Sequence, residues 1–194
     1  MTMSSSFPRR LIRLVLQPAD AWADIASESG QPAALLIPMP ALLVALGPLF
    51  FVFGHSFVGG DDGTLALGTS LAWSVVYYAL VVLCLFGQTQ LLVRIGPALG
   101  IRVSAEDALK LSVYAAIPFL LSGLALVLAM EGWESAVVVA GMIGQSYGAV
   151  LLYQGLGVVT RAESKARGLL AVAAAGGTIT AWVLGFFLLN KIIL

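Results

Sequence analysis

Apolar residues run through this chain in five charge-free blocks, at 29–60, 63–93, 111–130, 135–160 and 168–190. Each is long enough to hold the roughly 20 residues that carry an α-helix across the roughly 30 Å apolar layer of a bilayer. The connectors alternate in charge. Arg9, Arg10 and Arg13 precede the first block, and only Asp61 and Asp62 separate it from the second. Arg94, Arg102 and Lys110 follow the second block, Glu131 and Glu134 the third, and Arg161, Lys165 and Arg167 the fourth. Lys191 alone lies beyond the fifth, so nine of the ten basic residues share one side. The positive-inside bias then predicts five spans, with the N-terminus cytoplasmic and the C-terminus outside. The expected fold class is all-α, an integral membrane bundle. Its domains are a cytoplasmic amphipathic segment, 1–30, and a transmembrane domain, 31–194. The spans are placed at about 36–54, 67–93, 109–130, 135–159 and 168–190.

The first thirty residues read as two short surface-lying helices. Over 8–17, Arg9, Arg10, Arg13 and Gln17 share one face opposite Leu11, Leu14 and Val15, which suits an anionic membrane surface. Pro18 fits the first turn of a second helix. There Asp20, Asp24 and Glu28 recur every four residues, with Trp22, Ile25 and Ser29 on another face. Trp22 is expected at headgroup depth, as an aromatic anchor beside the three arginines. Leu11–Leu16 is too short, and too interrupted by Arg13, for a cleaved signal peptide.

Prolines punctuate the spans. Pro32, Pro38, Pro40 and Pro48 crowd the first, which should bend or begin late, near Pro38 or Pro40. Pro118 should kink the third. Gly96, Pro97 and Gly100 end the second span, and its length implies tilt. Ser104 with Asp107 starts the third in the manner of a capping box, and Glu106 and Asp107 oppose the helix dipole there.

Small residues recur in the last two spans. Gly141, Gly148 and Gly155 repeat every seven residues, and Gly144 with Gly148 forms GxxxG. Ala173, Gly177, Ala181 and Gly185 repeat every four. Such faces let helix backbones approach closely. The expectation is packing within the chain, with a homodimer contact through span five as the sharper alternative.

Composition narrows the function. The 194 residues are 60% apolar and 10% charged, against about 45–50% and about 25% for soluble domains. That leaves one membrane domain, in which the basic residues sit in short juxtamembrane loops and bind no nucleic acid. Cys84 lies mid-span and cannot form an internal disulfide. One His and one Cys leave no metal set, Asp61-Asp62 lacks the ligands of a calcium loop, and no cofactor motif is present. Gly144-Gln145-Ser146-Tyr147-Gly148 matches G-x-S-x-G, but lies inside a span rather than on a strand-to-helix turn, with His55 far off. The chain is not expected to be an enzyme. No ionisable acid or base falls in a span interior, which argues against a pump with protonatable coupling.

Uncharged polar residues are another matter. Gln88, Thr89, Gln90, Ser112, Tyr114, Tyr153 and Gln154 all fall in the cytoplasmic third, and Gln145 and Tyr147 near mid-membrane. An amide in hydrocarbon costs several kcal/mol unless bonded. These groups form either interhelical hydrogen bonds or a polar cavity open to the cytoplasm, able to admit a lipid headgroup or small solute.

Three stretches resemble the Ypt-interacting protein family, small five-span Yip-domain membrane proteins. They are Pro18-x-x-x-Trp22-x-x-Ile25 before span one; Ala108-Leu109-Lys110-Leu111-Ser112-Val113-Tyr114 with Pro118 and Gly123; and Tyr147 through Leu152-Tyr153-Gln154-Gly155-Leu156 with Lys165-Ala166. Together they cover about 18–170. In eukaryotic relatives the resemblance implies secretory traffic, Rab-type GTPase binding and membrane shaping, alongside a long cytosolic N-terminal region. About thirty residues precede span one here, so Rab binding is not carried over. The arginine bias suits a bacterial inner-membrane member. The expected function is a non-enzymatic scaffold that organises membrane or partner proteins. The expected partners are the bilayer, anionic headgroups at the N-terminal helix, and a second copy or another membrane protein. The alternative is a passive conduit or lipid-handling protein that uses the polar stripe.

Overall fold

The charge-free blocks fold as helices in the computed structural model, which describes residues 7–27, 38–58, 67–128 and 134–193. The expectations for Glu28, Ser29, Pro32, Asp61, Asp62 and Glu131 lie outside the described residues. Among those described, every element is helical. Two short helices come first, α1 (Phe7–Leu16) and α2 (Pro18–Ser27). An apolar helix α3 (Pro38–Phe53) follows and runs into a π-helical turn, Gly54–Val58. Then come α4 (Leu67–Ile95), α5 (Ala105–Ser122) continued as a 3-10 helix over Gly123–Leu128, α6 (Glu134–Thr160) and α7 (Ser164–Ile193). Four of these stretches are long and apolar enough to cross a membrane, and α3 is a shorter apolar helix.

The ends of the elements follow local chemistry. Gly100 takes a left-handed conformation (φ 72°) after the 3-10 turn Gly96–Leu99. Its N–H bonds Pro97 O at 3.1 Å, and Ile101 N–H bonds Gly96 O at 2.9 Å. This pair of bonds satisfies carbonyls that a helix end leaves orphaned. Ser104 caps α5: its Oγ accepts from Asp107 N–H at 3.0 Å and donates to Asp107 Oδ2 at 2.7 Å. The helix that contains span three therefore begins at Ala105, and the one that contains span five at Ser164. Between α6 and α7 the chain turns at Arg161, which is left-handed (φ 52°).

The prolines of α3 divide between its start and its interior. Pro38 is the first residue of α3 and Pro40 lies in its first turn, where N–H groups have no intrahelical partner to lose. Pro48 and Pro118 do lie inside α3 and α5. Each removes a backbone bond there. Ser74 of α4 donates to the Pro48 carbonyl at 3.2 Å, which ties α3 to α4.

α5 is the axis of the bundle. Two-thirds of its apolar window is buried, against about a third for α4, α6 and α7. It packs on α3, α4 and α6, while α7 closes the ring between α4 and α6. Glycine sets the closest approaches. A Cβ on Gly144 would stand 2.8 Å from the Pro118 carbonyl oxygen, and one on Gly148 2.6 Å from that of Ala115. The GxxxG of α6 thus lies on the backbone of α5. Gly141 instead receives the Trp182 ring of α7, and Gly123 meets Gly47 of α3.

The small face of α7 behaves differently. Ala173, Gly177 and Ala181 are exposed, and the packed face is Leu170, Ala171, Ala174, Ala175, Thr178, Trp182 and Leu189. Gly177 and Gly185 lie at its margin, under Leu91 and Leu80 of α4. The end of the bundle remote from the α1–α2 hairpin is aromatic. Phe51 stacks on Trp73 at 3.8 Å and Trp73 on Tyr77 at 4.8 Å, with Phe186 and Trp182 behind.

Candidate functional site

The N-terminal pair forms a docked hairpin. Gln17 N–H bonds Arg13 O at 2.7 Å, and Pro18 opens α2 without an N–H of its own. Arg13 and Asp24 meet across the pair at 2.6 Å. Arg13, expected to face anionic lipid, is thus engaged by α2.

α2 holds the hairpin to the bundle through Ala21, Trp22 and Ile25, all buried. Trp22 corrects a second expectation. It is fully buried, not a lipid-facing anchor. Its ring occupies the space that Gly155 leaves between α5 and α6. A Cβ there would stand 2.7 Å from Trp22 Cε2 and 2.7 Å from Leu111 Cδ2. Tyr114 meets the ring edge-on at 6.2 Å. A tryptophan opposite a glycine was legible as two features, but nothing in the spacing joined them across more than a hundred residues.

Tyr147 supplies the other tether. Its hydroxyl donates to Val15 O at 2.6 Å, a carbonyl in the last turn of α1. Such carbonyls lack intrahelical partners. Tyr147 therefore serves the hairpin. Tyr153 goes elsewhere: it accepts from Arg167 Nη2 at 3.0 Å, and the guanidinium lies 4.3 Å from its ring centroid. Gly157 makes room for that guanidinium. Lys110 is buried and pairs with Glu106 at 2.9 Å.

The remaining polar positions do not meet as one stripe. Gln88 and Thr89 are buried in α4, where the Thr89 hydroxyl returns to Leu85 O at 2.9 Å. Gln90 and Gln145 are half-buried. Ser112 is fully buried, and among the described residues neither its Oγ nor Gln154 Oε1 has a protein hydrogen-bond partner. Trp22 Nε1 and Arg167 Nε are in the same position. A hollow among α3, α4 and α5, beside Gly47, Tyr77 and Gly123, measures about 10 Å³, no more than about one water. Ser146 of the G-x-S-x-G stretch is exposed within continuous α6. Among the described residues no group of three His, Cys, Asp or Glu could hold a metal.

The model of the Yip1 domain matches residues 12–187. The chain belongs to the Yip1 domain family. It is a Yip1-domain multispan membrane protein, and the match runs from within α1 to near the end of α7. The hairpin and the bundle therefore lie in one Yip1 domain. Comparison with the curated proteins and with the solved structures finds no match.

Proposed function

We propose that this Yip1-domain protein is a non-enzymatic, five-span scaffold of a bacterial plasma membrane. Its N-terminus is cytoplasmic and its C-terminus outside, and its hairpin face organises membrane or partner proteins. Helix lengths support the placement. α4, α6 and α7 have 29, 27 and 30 residues, or about 40–45 Å, against a roughly 30 Å apolar layer. α3 with its π turn covers only 38–58. The long helices α4, α6 and α7 end or begin beside Arg94, Arg161, Lys165 and Arg167. α2 packs on the part of α6 that leads to Arg161, at Gly155.

The observation that carries the reading is the docking of Trp22 into the Gly155 notch. It makes the N-terminal hairpin a fixed part of the bundle and a defined face toward the cytoplasm. Threonine hydroxyls at 89, 160, 178 and 180 return to their own helix carbonyls, which supports packing over passage. The conduit reading draws on Ser112 Oγ and Gln154 Oε1, which are buried without protein partners among the described residues. Liposomes containing only the purified protein separate the two. The scaffold reading expects no solute or lipid flux above protein-free vesicles. Flux that is abolished when Gln88, Gln90, Tyr114 and Gln154 are replaced by Leu would establish the conduit instead.

A further inference from the structure

Among the described side chains, Arg167 is the one basic group that is neither exposed nor paired with a carboxylate. Arg13 and Lys110 have Asp24 and Glu106, and Arg94, Arg102, Arg161, Lys165 and Lys191 are exposed. Arg167 is half-buried. Its guanidinium lies 4.3 Å from the Tyr153 ring centroid, and Nη2 donates to the Tyr153 hydroxyl at 3.0 Å. Gly157 opens the space, because a Cβ there would run into Nη1. This cradle holds the cation but does not satisfy it. Among the described residues Nε is buried without a partner, and the only hydrogen bond of the guanidinium is the one to Tyr153. The Tyr153 oxygen accepts from Arg167, so its own proton is left to donate.

A half-buried cation without a counter-charge is costly, and the charges nearest in the chain add to it. The turn into α7 carries Arg161 and Lys165 against Glu163, all exposed. Depth identifies the anion that would answer them. Gly157 and Tyr153 lie three and seven residues before Thr160, the end of α6, or roughly 5 and 10 Å along its axis. The 27 residues of α6 measure about 40 Å against a roughly 30 Å apolar layer, so this level is where hydrocarbon gives way to headgroups. We propose that Arg167 and the Tyr153 hydroxyl bind the phosphate of an anionic glycerophospholipid at the α6–α7 turn. The planar fork of Arg167 matches phosphate oxygens, and charge-assisted bonds are the stronger class. Phosphatidylcholine offers the same phosphate with a choline cation beside it, which the basic turn disfavours. A soluble phosphate compound offers the same oxygens without the acyl chains that hold them at this depth. The site rests on the membrane crossing of α6 and α7 alone, whichever side is cytoplasmic.

The full chain is reconstituted in nanodiscs of phosphatidylglycerol and phosphatidylcholine in equal parts. Native mass spectrometry then counts the lipids of each kind retained per protomer after mild extraction. The wild type should retain phosphatidylglycerol over phosphatidylcholine by roughly fivefold, the contribution of one arginine near an anionic headgroup. Arg167→Gln should bring the ratio close to one. Tyr153→Phe keeps the ring beneath the guanidinium and removes one donor, so it should give an intermediate ratio, and it serves if Arg167→Gln does not fold. Arg102→Gln, exposed in the loop before α5, should leave the ratio unchanged. Excess inorganic phosphate should not displace the retained lipid. Equal retention of the two lipids by the wild type overturns the proposal, as does a ratio unmoved by Arg167→Gln or by Tyr153→Phe. A ratio lowered as much by Arg102→Gln overturns it in favour of diffuse surface charge, and displacement by inorganic phosphate overturns it in favour of a soluble ligand. A purely structural tie between α6 and α7 would not set a ratio between lipids. The ratio is read independently of flux, so a failure here leaves the scaffold reading standing.

Discussion

Trp22 and Gly155 show what a single residue decides in this protein. The ring fills a notch that exists only because position 155 lacks a side chain. Trp22→Ala should destabilise the fold by about 3 kcal/mol, as for buried tryptophan elsewhere, and loosen the hairpin before the bundle. Hydrogen exchange over 7–27 would rise steeply while α5 stays protected; equal loosening of both would contradict the assignment. The glycines of α6 and α7 make a paired prediction. Gly148→Ala would place a methyl 2.6 Å from the Ala115 carbonyl oxygen, whereas a Cβ on Gly176 meets nothing within 4 Å. The first should cost roughly 1–3 kcal/mol of stability in detergent and the second none, read as the temperature at which each protein loses its monodisperse peak. Sequence spacing marked both as glycines in membrane helices. It could not rank them, because close approach depends on which helix lies opposite.

Among the elements, the hairpin is where charge and burial compete. Arg13 and Asp24 are 41% and 60% exposed in their side chains. Exposed ion pairs contribute only about 0.2–1 kcal/mol, far less than a buried tryptophan. Arg13→Gln should therefore raise exchange in α1 by less than about fivefold, well short of the effect of Trp22→Ala. If the two variants loosened α1 equally, the ion pair and not the ring would be the main fastening. The helices themselves were legible in the hydropathy, and the start of α5 in Ser104 and Asp107. A bend and a late start both remained open for the proline-rich first span, because a proline reads alike at a helix start and inside a helix until the boundary is known. Trp22 was misjudged for a related reason. An amphipathic helix presents the same apolar stripe to lipid and to a protein notch.

At the scale of the whole molecule, alternating charge and five apolar blocks set out the order of the elements, and the Yip1 domain match over 12–187 agrees with that extent. Their arrangement was not legible. The last two spans both offer small-residue faces, yet Gly144 and Gly148 lie against α5 while Ala173 and Ala181 of α7 stay exposed. The polar positions divided too. Tyr147 and Tyr153 share a helix, yet one bonds the hairpin and the other Arg167. The central claim is that the short α3 crosses the membrane with the four longer helices, so that the hairpin face is cytoplasmic. Single cysteines at Ser5, Asp62, Gly100, Gly132, Glu163 and Leu194, in a Cys84→Ser background, can be labelled in sealed membranes with an impermeant maleimide. The account predicts that Asp62, Gly132 and Leu194 positions react from outside, and those of Ser5, Gly100 and Glu163 only from the cytoplasmic side. Labelling of the Ser5 and Asp62 positions from the same side would mean that α3 does not cross, and would contradict it.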